Sequence, residues 1–350
     1  MKRFLSIVTI ALALASCVND SEVEQPNNQP TPIVFGEVST RVDIKNADVE
    51  ENGFGVIALV NTGANGVYES LFGANPEKIW LDEGGNWIYD EANVKYWCDN
   101  CNYHFFGVYP HDEAYTIATD ASGNPTGVSH TFITPTTADK DLIVAYTPVD
   151  TSETPPTQVE MTFNHALTKV NFIFWRDAVN NQNDQMRIKQ VMLVNLKSEG
   201  TLTRFNDSSA SWEYTAKRMN ITKNVAKTDT ESDYISAATF NVETAKLDDT
   251  SNPNAASKPF GEDGLLLLPQ SIDGSNSVGL RVVYELWMPD AADWQEKTIE
   301  TLLPTITWVG GKEVNYQILL SSSVNIAFYH IQTSIDPWGT PQVGGTVIIK

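Results

Sequence analysis

The stretch Leu167–Trp175 reads LTKVNFIFW. Within it the apolar residues Val170, Phe172 and Phe174 occupy every second position, and the polar Lys169 and Asn171 lie beside Val170. Successive side chains of a β-strand point to opposite faces, so a period of two places these three residues on one face. Aromatic and β-branched residues are also enriched in strands. The stretch therefore predicts a β-strand that packs one face into a hydrophobic core.

Short apolar runs of this kind follow one another along the chain after Pro32, separated by turn sequences such as Asn65-Gly66 and Gly84-Gly85. No long stretch shows a clean helical period. Strands at spacings of about 8–15 residues are typical of β-sandwiches, so an all-β fold is predicted. The runs are Ile33–Val38, Gly53–Val60, Asn86–Tyr89, Tyr103–Tyr109, Ser129–Ile133, Asp141–Tyr146, Gln158–Phe163, Leu167–Trp175, Ile188–Leu196, Ser236–Val242, Gly264–Pro269, Val278–Trp287, Thr298–Leu303, Val314–Ser321 and Val324–Ile335.

The length of 350 residues is enough for two such sandwiches. We predict an N-terminal sandwich over residues 33–215 and a C-terminal one over 216–350. The polar stretch Ala216–Asp233 predicts a linker or a long exposed loop, and Val309–Lys312 predicts a hairpin turn between apolar runs.

The N-terminus is typical of an export signal. MKRFLSIVTIALALASC, ending at Cys17, has a cationic start, an apolar run too short to be a comfortable bilayer span, and small residues before the cysteine. It resembles a bacterial lipobox, which implies a lipoprotein signal at residues 1–16 and a lipidated Cys17. An ordinary secretory signal with a chance cysteine is the alternative. Residues 17–32 are polar and rich in Pro and Asn, and they predict a flexible tether.

The charge balance restricts the partners. The formal net charge is −21 at pH 7, and no basic cluster offsets it. Such a surface repels nucleic acid and anionic headgroups, so nucleic-acid binding is excluded as a function. No stretch after the signal is long and apolar enough to span a bilayer, so the expected tie to the membrane is the lipid on Cys17.

The two other cysteines form the motif Cys98-Asp99-Asn100-Cys101, between two strand-like runs. We predict a disulfide that closes a hairpin turn between these strands. Free thiols, a redox pair and half of a metal site stay as alternatives. A redox motif is expected at a helix N-terminus, and a zinc site needs further ligands at a recognisable spacing.

No catalytic or cofactor motif stands out. The chain lacks GxxxxGK[ST], HExxH, GxSxG and an EF-hand loop, and its five His are scattered. Acidic pairs such as Glu50-Glu51 lie in loop-like sequence, which favours solvated loops over a glycosidase pair. Nine Trp would suit glycan stacking, although most are expected in the cores. We therefore predict no enzyme, no cofactor and no metal site.

A set of segments runs in one order along nearly all of the chain after residue 32, namely Ile33–Gly36 with Thr40–Val42, Gly53–Ala58, Val94–Trp97 with Tyr103–Pro110, Asp141–Ala145, Phe163–Val170, Leu265–Gln270, and Trp308 with Ile335–Trp338. Together these segments resemble the fimbrillin family, the pilus subunits and pilus-associated lipoproteins of Bacteroides and its relatives. Cys98 departs from the pattern, because the family often has proline after Tyr-Trp.

The resemblance implies two transthyretin-like β-sandwich domains in tandem. It also implies export as a lipoprotein to the cell outer membrane and a surface-exposed role in a fimbrium, as stalk, tip or anchor, that serves cell adhesion. The implied partners are other pilus subunits, outer-membrane lipid bound through Cys17, and a host or bacterial surface ligand. A surface glycan-binding lipoprotein is the alternative function.

The family's maturation gives the remaining site residues. An arginine- or lysine-specific protease removes the first strand, and a strand from the next subunit fills the groove. Carried over to this chain, the removable strand is Ile33–Ser39. The expected cut follows Arg41, with Lys45 as second choice. The C-terminal segment Gly344–Lys350 is the candidate donor strand, and an ordinary last strand of the fold is the alternative.

Overall fold

The computed structural model describes residues 30–40, 49, 51–63, 67–112, 114–119, 125–134, 141–177, 185–206, 209–225, 237–241, 246–249, 258–261, 264–321 and 325–333. The regular secondary structure of the described residues is almost entirely β-strand, as predicted, with a short 3-10 helix at Glu91–Asn93. In chain order these are β1 (Phe35–Thr40), β2 (Phe54–Asn61), β3 (Glu69–Ser70), β4 (Glu77–Leu81), β5 (Trp87–Ile88), β6 (Asn102–Tyr109), β7 (Tyr115–Thr119), β8 (Pro125–Ile133), β9 (Ile143–Asp150), β10 (Val159–His165), β11 (Thr168–Asp177), β12 (Met186–Lys197), β13 (Glu199–Asn206), β14 (Ser209–Tyr214), β15 (Arg218–Asn224), β16 (Ala237–Asn241), β17 (Lys246–Asp249), β18 (Leu265–Leu267), β19 (Gln270–Ile272), β20 (Gly279–Met288), β21 (Asp293–Leu302), β22 (Ile306–Trp308), β23 (Glu313–Ser321) and β24 (Asn325–Thr333).

The first sheet closes on itself. Its ladders run β2–β4–β5–β1–β10–β9–β6, and β6 pairs again with β2, while β3 adds to one end of β2. Alternate residues of each strand therefore point into an enclosed apolar interior. That interior contains Ile33, Phe35, Phe54, Val56, Ile79, Tyr103, Phe105, Val159, Met161 and Phe163 among its buried residues.

The outward face of this closed sheet packs against a second sheet. The second sheet has the order β14–β13–β8–β7. In β6, Phe105 points into the enclosed interior, whereas Phe106 and Val108 point outward and pack with Phe132 and Leu202 of the second sheet. The N-terminal part therefore has two separate apolar layers.

The C-terminal part is a sandwich of a six-stranded sheet and a four-stranded sheet. One has the order β17–β16–β11–β23–β24, with β18 on β11, and the other has the order β15–β12–β20–β21. The short pair β19–β22 stands beside them. In the core between the sheets, Phe172 stacks on Tyr316 at 5.1 Å, and the indole nitrogen of Trp308 donates to the Tyr316 phenol at 2.9 Å.

The stretch that begins β11 passes from one part to the other. Phe163 lies in the closed sheet, Leu167 lies between the two N-terminal layers, and Val170, Phe172 and Phe174 lie in the C-terminal core. The alternation predicted for this strand is therefore confirmed.

The chain returns to the N-terminal part after β12. Leu196 packs in the C-terminal core, and Leu202 of β13 packs in the N-terminal layers. The division of the cores therefore does not coincide with a single position at 215/216. The two ranges 33–215 and 216–350 stay a prediction as domains.

Two local predictions are corrected. Arg218–Asn224, expected in a linker or loop, is β15, which pairs with β12 and buries Ile221. Val309–Lys312 forms a turn, with the Lys312 amide donating to the Val309 carbonyl at 3.1 Å. It is not a hairpin turn, because β22 before it pairs with β19 and β23 after it pairs with β11 and β24.

The all-β sandwich fold is confirmed, and the tandem transthyretin-like arrangement stays a prediction. Among the described residues, no helix has the length and hydropathy needed to cross a bilayer.

Candidate assembly site at the first strand

The first strand occupies a gap between two other strands. β1 pairs in parallel with β10, with Phe35 opposite Val159 and Thr40 opposite Phe163. On its other side Phe35 pairs with Trp87 of β5. β1 therefore closes the ring of strands, and it is the first strand that the structure describes.

The residues before β1 are also held. The Ile33 amide donates to the Lys95 carbonyl at 2.8 Å, and the Trp97 amide donates to the Thr31 carbonyl at 3.0 Å. The Val159 amide donates to the carbonyl of Val34 at 2.8 Å. The described chain is therefore hydrogen-bonded almost from its first residue, in an extended form that continues into β1.

Tyr89 joins both sides of this contact. Its phenol donates to the Ile33 carbonyl at 2.8 Å and accepts from the Lys95 amide at 3.2 Å. Burial is the largest effect on this phenol and raises its pKa. Tyr89 therefore keeps its proton, and with it the ability to donate, at neutral pH.

Two inward side chains anchor the strand. Ile33 is fully buried, and Phe35 makes edge-to-face contacts with Tyr89, Phe105 and Phe54 at centroid distances of 5.9, 6.1 and 6.4 Å. Such contacts are a preferred geometry of aromatic pairs. Val38 packs at the edge of the same core.

The predicted disulfide borders this site. Cys98 and Cys101 are bonded to each other, with their Cα atoms 5.8 Å apart. The turn that they enclose rests on the buried Thr151, whose hydroxyl donates to the Cys98 carbonyl at 2.6 Å and accepts from the Cys101 amide at 2.9 Å. The disulfide follows Trp97 directly, so it lies next to the strip that pairs with residues 31–33. The turn is not the predicted hairpin turn, because this strip pairs with residues 31–33 and β6 pairs with β2 and β9.

The other predicted site residues lie outside the described residues. These are the lipidation candidate Cys17, the cleavage candidates Arg41 and Lys45, and the donor candidate Gly344–Lys350. Within the described residues, no three His, Cys, Asp or Glu side chains are grouped so that they could hold a metal ion.

Sequence reasoning identified the first strand but missed its partners. Tyr89 ends a predicted strand, and nothing in the sequence connects it with Ile33, 56 positions earlier. The parallel pairing with β10 was also missed, because a strand's apolar pattern does not name its neighbour.

Comparison with known proteins agrees with this architecture. The chain matches the sequence profile described as "Fimbrillin-like" over residues 40–338. It belongs to the fimbrillin-like family. The matched range covers most of the chain, and it begins at the last residue of β1. No curated protein matches the chain.

Solved structures similar to this member of the fimbrillin-like family include three proteins of Bacteroides. A fimbrial protein of Bacteroides vulgatus aligns with a TM-score of 0.59 and 16% identity, over 88% of this chain and 99% of that one. A protein of Bacteroides uniformis ascribed to cell adhesion aligns with a TM-score of 0.47 and 15% identity, over 90% and 100% of the two chains. One of Bacteroides ovatus, ascribed to the same process, aligns with a TM-score of 0.48 and 14% identity, over 89% and 98%. At these identities the first alignment supports the fold alone.

Proposed function

We propose that this chain is a fimbrial subunit, or a tip or anchor component of a fimbrium, that serves cell adhesion. It is exported as a lipoprotein that carries its lipid on Cys17, and it is exposed on the surface of the outer membrane. Cleavage after Arg41, or after Lys45 as second choice, removes the first strand, and a strand from another subunit takes its place. No catalysis is part of this function.

The observation that carries the proposal is the position of β1. It is the first described strand, it completes a closed ring between β5 and β10, and Arg41 follows its last residue directly. A cut at Arg41 separates this strand from the rest of the fold without breaking any other described strand.

Loss of β1 leaves a vacancy that only another strand fills well. Neighbouring strands lie about 4.7–4.9 Å apart, so β5 and β10 would border a gap of roughly twice that spacing. Both borders would present unpaired backbone groups, which favour pairing with an added strand.

Loss of the first strand also removes apolar side chains from the enclosed interior. Ile33 and Phe35 are buried in the enclosed interior and Val38 packs against it. Full burial of such a side chain contributes about 1.5–3 kcal/mol, so an emptied groove strongly favours a donor that supplies apolar residues at alternate positions. Gly344–Lys350 reads GGTVIIK and has this composition.

Limited proteolysis tests the proposal. Purified precursor is treated with a low dose of trypsin, the new N-terminus is sequenced, and polymer is followed by size-exclusion chromatography and electron microscopy. We expect an N-terminus at Val42 and a ladder of oligomers. Arg41→Ala shifts the cut to Lys45 and gives Asn46, and the double variant with Lys45→Ala stays monomeric. Resistance of the wild type at both positions, with no polymer, would contradict a stalk role.

A further inference from the structure

The outward face of the C-terminal sheet β12–β20–β21 has an aromatic row beside a charged row. At the turn end of the β20–β21 hairpin, Trp287 of β20 stands opposite Trp294 of β21. One row further along, the three strands place Arg187, Glu285 and Glu296 side by side. We call this surface the tryptophan platform; it consists of Arg187, Lys189, Glu285, Trp287, Trp294 and Glu296.

The two indoles form a corner. Their ring centroids are 5.4 Å apart and their planes meet at 63°. Both side chains are partly exposed. Tyr284 and Leu286, which flank Glu285 in β20, point to the opposite face and are buried in the core. The guanidinium carbon of Arg187 lies 4.2 Å from the centre of the Trp294 ring, so a cation fixes the orientation of this indole.

The charged row is neutralised internally. Nε of Arg187 lies 2.7 Å from a carboxylate oxygen of Glu285. Nζ of Lys189 lies 3.6 Å from the other Glu285 oxygen and also contacts Glu296. Two cations and two anions therefore balance on the platform, in a chain whose net charge is −21. A charged polymer therefore gains no net electrostatic attraction from these four side chains.

The arrangement fits one ligand chemistry. A sugar ring has an apolar C–H face, which packs on an indole, and a rim of hydroxyl groups, which both donate and accept hydrogen bonds. The platform offers indoles beside one accessible donor and one accessible acceptor, the partly exposed Lys189 ammonium and the exposed Glu296 carboxylate. Arg187 and Glu285 are buried, so they position Trp294 and Lys189 and do not face the ligand. Hydrogen bonds to charged groups are stronger than neutral ones and therefore hold such hydroxyls well.

We infer that the tryptophan platform binds a neutral saccharide chain across the end of the β20–β21 hairpin. This site is separate from the proposed assembly site, because the groove of the first strand lies between β5 and β10 and the platform lies on β12, β20 and β21. A subunit polymerises with or without it, so a failed sugar titration and a failed trypsin experiment are distinguishable.

The cross-strand pair Trp287–Trp294 also stabilises its hairpin, since such aromatic pairs favour sheet formation. A test must therefore separate ring stacking from folding. Trp294→Ala removes a stacking surface, and Trp287→Tyr keeps an aromatic ring at the second position. Leu302→Ala is the matched control, because Leu302 is an exposed apolar residue at the far end of the same strand, β21.

Calorimetric titration of the full chain tests the site. The probes are three neutral soluble polysaccharides (a mixed-linkage β-glucan, a galactomannan and a xyloglucan) and the anionic polygalacturonate. We expect at least one neutral polymer to bind. Trp294→Ala should weaken that binding by about tenfold, Trp287→Tyr should retain most of it, and Leu302→Ala should leave it unchanged. Thermal unfolding of each variant verifies that it is folded at the titration temperature.

Three results would overturn the inference. One is the absence of heat with every neutral polymer at millimolar sugar. The second is equal affinity of the wild type and a folded Trp294→Ala variant. The third is tighter binding of polygalacturonate than of any neutral polymer, because the balanced charges of the platform offer an anion no advantage.

Discussion

The phenol of Tyr89 donates a hydrogen bond of 2.8 Å to the carbonyl of Ile33. The same oxygen accepts the Lys95 amide, so one side chain joins the residues before the first strand to the strip that borders them. This contact makes the attachment of the N-terminal segment sensitive to a single oxygen atom.

Tyr89→Phe should loosen that segment. The substitution keeps the ring that packs against Phe35 and removes the group that satisfies two backbone atoms. An unsatisfied buried polar group costs about 1–3 kcal/mol. We expect a loss of this size in the free energy of unfolding and faster hydrogen exchange at the Ile33 amide. Tyr96→Phe is the control, because Tyr96 is 48% exposed and should tolerate the change. Equal exchange rates in both variants would contradict this role of Tyr89.

Phe35 should contribute much more to the attachment of the first strand than its neighbour Val34. Phe35 is 5% exposed among three aromatic rings, whereas its neighbour Val34 is 41% exposed. Phe35→Ala should cost about 3–5 kcal/mol, and Val34→Ala should change stability by less than about 0.5 kcal/mol. Urea unfolding measures both.

The variants Phe35→Ala and Val34→Ala also test whether release of the first strand limits the rate of polymerisation. A strand that is held less tightly leaves its groove more easily, so Phe35→Ala should accelerate polymerisation after trypsin cleavage relative to Val34→Ala. Equal rates would indicate that release of the first strand does not limit assembly.

Alternation predicted individual strands well where one face is buried in a core. Val170, Phe172 and Phe174 were placed correctly on one face because a period of two is a local property of the chain. β15 was missed for the opposite reason. Ile221 is its one fully buried residue, and a strand that is largely exposed has the polar composition of a loop.

Pairing and domain membership were less accessible, because both depend on contacts distant in sequence. The partnership of Tyr89 with Ile33 and the parallel ladder of β1 with β10 are not encoded in any local pattern. The apolar composition of Leu167 and Val170 likewise does not reveal that they pack in different cores. The first strand itself was predicted, since its apolar residues and the following Arg41 are adjacent in the chain.

The turn between Cys98 and Cys101 should depend on both the disulfide and Thr151. Without reductant, no thiol of either cysteine should react with an alkylating agent, as mass spectrometry would show. A disulfide that closes so short a loop stabilises at the low end of the usual range, about 2 kcal/mol. The double variant Cys98→Ala/Cys101→Ala should lose about that amount in urea unfolding.

Thr151→Val separates the two contributions. It keeps the side-chain shape and leaves the Cys98 carbonyl and the Cys101 amide without the hydroxyl, which should cost about 1–3 kcal/mol even with the disulfide intact. Reductant should destabilise the wild type and leave the cysteine double variant unchanged. Alkylation of both cysteines in native, unreduced protein would exclude the disulfide.

His104 should make the N-terminal layers sensitive to acid. Its Nδ1 lies 2.7 Å from the Tyr146 phenol oxygen and its Nε2 lies 2.9 Å from that of Tyr68. Burial lowers the pKa of His104 in the folded protein. The unfolded chain therefore binds this proton at a higher pH than the folded one. The contribution of His104 is complete above its unfolded pKa, about 6.5, and is lost as the pH falls through the folded value.

Urea midpoints measured between about pH 8 and pH 5 test this linkage. The wild type should lose more stability on acidification than His104→Gln, which has no proton to bind at this position. Other groups, including His111, whose pKa burial also lowers, contribute equally to both proteins and cancel in the difference. Parallel stability profiles of the two proteins would contradict this prediction. They would show that His104 binds its proton equally well in the folded protein and in the unfolded chain.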